Sequence, residues 1–128
     1  MKNFIYTLVD YIKELELDYP IFIGVFDEQP SLMIKPTEGS EVIHEYMNGM
    51  MDIRLPFSIS IKSKDQEVAF KVLCEVMNHL SGLGKFLNDQ QKEQVLLNLE
   101  TNQLPVFQAS EDGYFYYTSI LIVDLTIV

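Results

Sequence analysis

The sequence predicts an α+β domain in which two main helices pack on one face of a mostly antiparallel sheet. Two stretches, one near the start and one in the middle of the chain, repeat apolar residues at the period of an α-helix. The dipeptides Asn48-Gly49 and Asp112-Gly113 join segments of alternating polarity, as the turns of β-hairpins do. The order helix, strands, helix, strands favours helices layered against one face of a sheet.

Length and charge limit the classes of protein that this chain can belong to. It has 128 residues, so we assign a single domain to 1–128. Its formal net charge is −10, and Arg54 is its one arginine. Tight binding of a nucleic-acid backbone needs clustered basic residues, so general DNA or RNA binding is disfavoured. With one cysteine and no apolar run of membrane-spanning length, we expect a reducing compartment or a particle assembled there, and no membrane partner.

The first helix is predicted over residues 4–15, where apolar side chains fall on one stripe and Tyr19-Pro20 ends the helical region. Two short β-rich runs follow, at 21–26 and 31–35, separated by a turn at 27–30. We interpret these two runs as a β-hairpin.

A long hairpin is predicted at 41–62, because Asn48-Gly49 suits a two-residue type I′ turn. That turn would place Arg54 diagonal to Glu45 and would set three cross-strand pairs, Met47 with Met50, Tyr46 with Met51, and His44 with Ile53. Pro56 cannot donate to a ladder, so it marks an edge, a bulge or a bend.

The second helix is predicted to begin with a capping box formed by Ser63 and Gln66 and to end at Gly82. The polar stretch at 83–93 is either an arm or a short helical insert. A strand at 95–100 and a hairpin of 103–110 with 114–128 across Asp112-Gly113 complete the sheet. The last strand is apolar on both faces, so we expect it to be central or at an interface.

The residues with reactive side chains form no constellation for catalysis, and we predict no enzyme, no metal and no cofactor. Cys74 lies on the flank of an apolar helical stripe, where a buried, inert thiol is typical. His79 lies about 140° around the helix from it, which makes a poor dyad. His44 and Glu45 alternate on a strand, and a metal site needs three or four converging ligands.

Contact surfaces are more promising than catalytic sites. Three methionines at the tip of the long hairpin form adaptable contact surface. The aromatic run 114–117 suits sheet packing or a subunit interface better than base stacking, because acidic residues adjoin it. The candidate interface residues are Met47, Asn48, Gly49, Met50, Met51, Asn88, Asp89, Gln90, Gln91, Tyr114 and Tyr116.

Several segments together resemble the minor capsid and tail-terminator (tail-completion) proteins of long-tailed bacteriophages. The resemblance covers roughly residues 20–128 and is a pattern of elements. It rests on these segments: Ile23-Gly24-Val25 with Gln29-Pro30, the loop at Gly39, the strand at 55–62 that runs into Ser63-Lys64-Asp65, the helix start at Val68-Ala69, and the aromatic hairpin at Asp112-Gly113.

The resemblance implies a structural protein of the virion without catalytic residues. Such proteins form a ring, expected to be a hexamer, that caps the tail tube and joins it to the head through tail-tube and head-connector proteins. DNA would pass through an acidic bore without specific binding. Assembly would take place in the host cytoplasm. The alternative is a small acidic protein-binding or nucleic-acid-mimicking regulatory module.

Overall fold

The structure is a computed structural model that describes residues 2–89, 94–101 and 105–127. Within these residues, three α-helices, one 3₁₀ turn and seven strands form an α+β fold. The helical elements are α1 (Lys2–Lys13), α2 (Gln66–His79), the 3₁₀ turn Leu80–Gly82 and α3 (Leu83–Asp89). The strands are β1 (Ile21–Ile23), β2 (Ser31–Pro36), β3 (Glu41–Glu45), β4 (Met51–Ser63), β5 (Gln94–Thr101), β6 (Val106–Glu111) and β7 (Tyr114–Ile127).

The sheet is built around two long strands, β4 and β7, which pair antiparallel along their whole length. On the outer side of β4, β2 pairs with one half and β3 with the other. On the outer side of β7, β6 pairs with one half and β5 with the other. The prediction that the last strand is central is therefore confirmed.

The helices pack on one face of this sheet, as predicted. Alternate residues of β4, from Ile53 to Ile61, are buried in the same apolar cluster as Leu8 of α1 and Leu73 of α2. The predicted apolar stripe of the first helix is confirmed at the five positions Phe4, Ile5, Leu8, Val9 and Ile12. All the helical elements contribute to this one cluster, so the opposite face of the sheet carries no helix in the described part of the chain. The loop after β1 covers part of that face, where Phe26 packs on Tyr116.

The predicted hairpin between 21–26 and 31–35 is wrong, because β1 and β2 pair in parallel. The chain leaves β1 after Ile23 at Gly24, whose φ is +82°, and crosses back to the Ile21 end of β1 before it enters β2 at Ser31. Backbone hydrogen bonds from Leu32 to Pro20 and from Gly24 to Ile34 fix this arrangement at 2.8 and 2.9 Å.

The long hairpin exists, but its turn has one residue more than predicted. The amide of Tyr46 donates to Met50 O, so residues 47–49 form a three-residue loop in which Gly49 has a φ of +89°. Asn48 keeps an ordinary φ and its side chain accepts a hydrogen bond from the Met50 amide. The three predicted pairs and the Arg54–Glu45 diagonal are therefore wrong, since the observed pairs are Glu45 with Met51, His44 with Asp52, Val42 with Ile53 and Glu41 with Arg54.

Pro56 lies in the middle of β4 without disturbing its pairing to Ile122 of β7. Its carbonyl accepts from the Thr37 amide on the other side, and the nitrogen of a strand residue points the same way as its carbonyl. That side is the gap between the end of β2 at Pro36 and the start of β3 at Glu41. The missing N–H therefore costs no ladder hydrogen bond.

The capping box at Ser63 and Gln66 is not formed. Asp65 is the N-cap of α2, and its carboxylate accepts from the Val68 amide at 3.1 Å. Ser63 is the buried last residue of β4, and its hydroxyl contacts the Tyr19 hydroxyl at 2.7 Å. Gly82 does not end the helical region either, because α3 follows it directly. Of the two alternatives for 83–93, the structure has the short helical insert.

The remaining strands agree with the predictions in outline. The Asp112-Gly113 turn is confirmed, with positive φ at both residues and Glu111 opposite Tyr114. The strand expected at 95–100 is β5, and it pairs with the second half of β7. Residues 103, 104 and 128 of the predicted hairpin lie outside the described residues.

Candidate functional site

The tip of the β3–β4 hairpin holds five of the predicted interface residues, and they differ in what they offer. Met47 is fully exposed. Asn48 and Gly49 build the turn, and the Asn48 side chain is tied to Met50. Met50 and Met51 are half-buried, and Met51 packs against the core. The surface available to a partner at this tip is therefore mainly the Met47 side chain.

The base of the tip is anchored to β7 through the carboxylate of Asp52. It accepts hydrogen bonds from the Thr126 hydroxyl at 2.5 Å and from the Tyr46 hydroxyl at 2.8 Å. These bonds, first that of Thr126, lower the pKa of Asp52, and the bond to Asp52 raises the pKa of Tyr46. The tip is thus held in place by a charge-assisted network.

Arg54 forms the second polar anchor of this end of the sheet. It makes a bidentate ion pair with Asp124 of β7, at 2.8 and 3.1 Å, and lies 3.5 Å from Glu41 of β3. Asp124 is buried, whereas the Arg54 side chain remains partly open to solvent. Hydrogen bonding to Asp124 raises the pKa of Arg54. Arg54 thus joins β4 to β7 and β3 on the sheet face opposite the helices.

Tyr114 and Tyr116 lie at the opposite end of the sheet from the hairpin tip. The register of β4 with β7 separates the two ends by twelve residues, or about 40 Å. The Tyr114 ring lies under Lys62 Nζ at 4.5 Å, and the Tyr116 ring packs edge-on against Phe26 at 5.5 Å. Both tyrosines are half-buried, so they fasten the 24–30 loop to the sheet.

The other four predicted interface residues, 88–91, come after α2 in the chain. Asn88 and Asp89 end α3. Gln90 and Gln91 lie outside the described residues. The structure thus places the nine described candidates in three separate regions: the hairpin tip, the α3 end and the aromatic end of the sheet.

The two histidines considered for catalysis pack against aromatic side chains of the fold. The His79 ring stacks on Tyr11 with 4.1 Å between centroids, and its Nε2 lies 3.0 Å from Tyr11 O. His44 packs edge-on against Tyr46. Among the described residues, no group of three His, Cys, Asp or Glu side chains could hold a metal ion. None of the helices in that part of the chain is long and apolar enough to cross a membrane.

An apolar groove of about 390 Å³ was not predicted from the sequence. It opens at the gap between β2 and β3, and its lining includes Ile5, Tyr6, Ile23, Leu55, Pro56 and Phe57. The one sequence signal for it is Pro56, whose missing donor indicates a break in pairing on one side of β4.

The comparisons with known proteins agree with the resemblance drawn from the sequence. A family model described as "Bacteriophage tail terminator protein" matches residues 8–127. No curated protein matches the chain closely enough to count as a relative. The family match begins within α1, at residue 8, and covers all seven strands. The chain belongs to the bacteriophage tail terminator family, a family with a structural role in the phage tail.

Proposed function

We propose that this protein forms a ring, a hexamer in the particle, that caps the finished tail tube and joins it to the DNA-filled head. The ring stops polymerisation of the tube, and its other side contacts a head-connector protein. The observation that carries the proposal is the family match over 8–127. Assembly takes place in the host cytoplasm before the ring becomes part of the virion.

The hairpin tip supports a role in contacts with other tail proteins. Met47 is fully exposed at the end of a strand pair whose base is anchored by Asp52 and Arg54. A methionine adapts its shape to a partner, and a rigid base keeps the loss of conformational entropy on binding small. We assign Met47 to the contact with the tail tube or with a neighbouring copy.

The charge of the chain supports passage of DNA without binding. Each copy carries a formal net charge of −10, so a ring of copies has a strongly negative field. A bore lined by acidic side chains repels phosphates. It offers no basic side chains that could displace the counterions of DNA, so that contribution to DNA affinity is missing.

Removal of the gene from the phage tests the function directly. Without a terminator, tube growth has no defined end, so we expect tails of variable and excessive length that lack heads in negative-stain images. Expression of the intact protein from a plasmid should restore uniform tails joined to heads. Tails of normal length that carry heads in the absence of the protein would overturn the proposal.

A further inference from the structure

One end of the sheet is a four-stranded layer whose two outer strands have no further partner strand among the described residues. Across this end the order is β3, β4, β7, β5, with every neighbouring pair antiparallel. Among the described residues, β3 pairs only with β4 and β5 pairs only with β7. Each therefore presents a row of free N–H and C=O groups, and such a row is a template for another strand.

The two edges carry matching irregularities at the same level of the sheet. Val42, Ile53, Leu125 and Leu96 form one row across the four strands. Directly after this row, the register of β3 shifts at Ile43 and the register of β5 shifts at Leu97. Each shift is a bulge with one extra residue, and the extra residue is aliphatic and about half exposed, at 48% for Ile43 and 52% for Leu97.

We propose that β3 of one copy pairs with β5 of the next copy, with Ile43 against Leu97. This inference rests on the proposed ring and names the surface that closes it. Because the four strands alternate in direction, β3 and β5 run antiparallel, and a neighbour in the same orientation continues the sheet with the favoured antiparallel geometry. If the row continues into the neighbour, Val42 of one copy lies opposite Leu96 of the next. The Cα atoms of Ile43 and Leu97 are then separated by one strand spacing across the sheet and by one residue along the strands, or about 6 Å.

Charge favours this pairing over the pairing of β3 with itself. An antiparallel β3–β3 contact centred on Ile43 places Glu41 directly opposite Glu45, and like charges in opposite positions are destabilising. By contrast, residues 94–99 of β5 include no charged residue. Pairing of β3 with β5 therefore keeps both glutamates of β3 away from another carboxylate in the opposite position.

A contact between two different edges has a further consequence for assembly. It is heterologous, so each copy keeps one free edge after every addition. Such a contact generates a ring when its rotation closes and a filament when it does not. The right-handed twist of the sheet and its extra twist at the two bulges supply the rotation between copies.

Disulfide cross-linking between the two edges tests the contact. In a Cys74→Ala background, the double variant Ile43→Cys/Leu97→Cys is oxidised and run on a non-reducing gel. Within one chain, the two cysteines lie three strand spacings apart, or about 14 Å, whereas a disulfide needs Cα atoms within about 7 Å. Every bond formed must therefore join two copies, and we expect a ladder that ends at the full ring.

Matched variants give the controls. Each single variant should remain monomeric on the gel, and a mixture of the two single variants should stop at dimers. The pair Val25→Cys/Leu97→Cys, with an exposed cysteine on the loop after β1, should give no ladder. Apart from the shared Cys74→Ala change, which is at a partly buried position, all substitutions alter exposed side chains. Thermal unfolding checks that each variant folds.

The outcomes separate this inference from the proposed function. Dimers from either single variant alone, or an absent ladder while light scattering detects rings, would overturn the β3–β5 contact and leave the ring in place. A ladder with filaments and no closed ring would keep the contact and overturn the ring. Monomers at every concentration with no ladder would overturn both.

Discussion

The Tyr11 ring stacks on the His79 imidazole at a centroid distance of 4.1 Å, and its hydroxyl donates a hydrogen bond to the carbonyl oxygen of the same histidine. This double contact fastens α1 to the end of α2. Burial is the main reason that the pKa of Tyr11 is raised, and the charge of Glu14 adds to it. Gly82 lies against the same hydroxyl, where a Cβ atom would collide with it.

We predict that Gly82→Ala lowers the free energy of unfolding by about 1–3 kcal/mol, because the added methyl must displace a packed tyrosine. Urea unfolding followed by circular dichroism measures this loss. The penalty should become smaller in a Tyr11→Phe background, since the clashing atom is the hydroxyl oxygen. Ser81→Ala, an exposed change in the same 3₁₀ turn, is the control. Equal penalties for Gly82→Ala in both backgrounds would refute this explanation.

Asp65 rather than Ser63 should behave as the N-cap of α2. Asp65→Ala removes the acceptor for the Val68 amide and should cost about 1 kcal/mol of stability, whereas Asp65→Asn keeps an acceptor and should cost much less. Chemical denaturation of the two variants gives the comparison. Equal losses would show that the carboxylate acts through its charge instead of through the hydrogen bond.

The Asp52 network predicts a direction for acid sensitivity. Its pKa is lower in the fold than the value of about 3.9 in an unfolded chain, so its contribution to stability is present at neutral pH and is lost as pH falls through the folded pKa. NMR titration of the Asp52 carboxyl carbon should give a higher pKa in Thr126→Val and, to a smaller extent, in Tyr46→Phe. Tyr6→Phe, on α1, should leave the Asp52 titration unchanged.

Salt should promote association of the isolated protein. Copies with a net charge of −10 repel one another, and ionic strength screens that repulsion over a distance that falls from about 10 Å at 0.1 M to about 3 Å at 1 M. Light scattering at fixed protein concentration should therefore give a larger mean mass as sodium chloride increases. A mass that falls with salt would indicate that ion pairs between copies dominate the contact.

Local signals in the sequence predicted those elements whose stability is local. The stripe of α1 depends on periodicity, and the hairpin turn at Asp112-Gly113 depends on the φ values of two residues, so both predictions are correct. The parallel pairing of β1 with β2 depends on where a seven-residue loop leads, and no local pattern specifies that. Ser63 fits the sequence pattern of a helix N-cap, but in the fold its hydroxyl contacts the Tyr19 hydroxyl from a distant part of the chain.

The candidate interface residues likewise divide into those that a local pattern predicts and those that depend on tertiary contacts. The exposure of Met47 could be predicted because a turn tip is solvated in most folds. Tyr114 is half-buried because Lys62 and the 24–30 loop lie against it, which depends on tertiary contacts. The bulged residues Ile43 and Leu97 were missed, since an extra residue in a strand becomes visible only when the register of the partner strand is known.

We expect copies of this chain to close into a ring at the end of the tail tube. The most direct measurement is the mass of the purified protein by light scattering across concentration and salt, with negative-stain images of the largest species. A closed ring should appear with a central hole and about six times the 14.8 kDa mass of one chain. A strict monomer under every condition, with and without purified tail tubes, would contradict it.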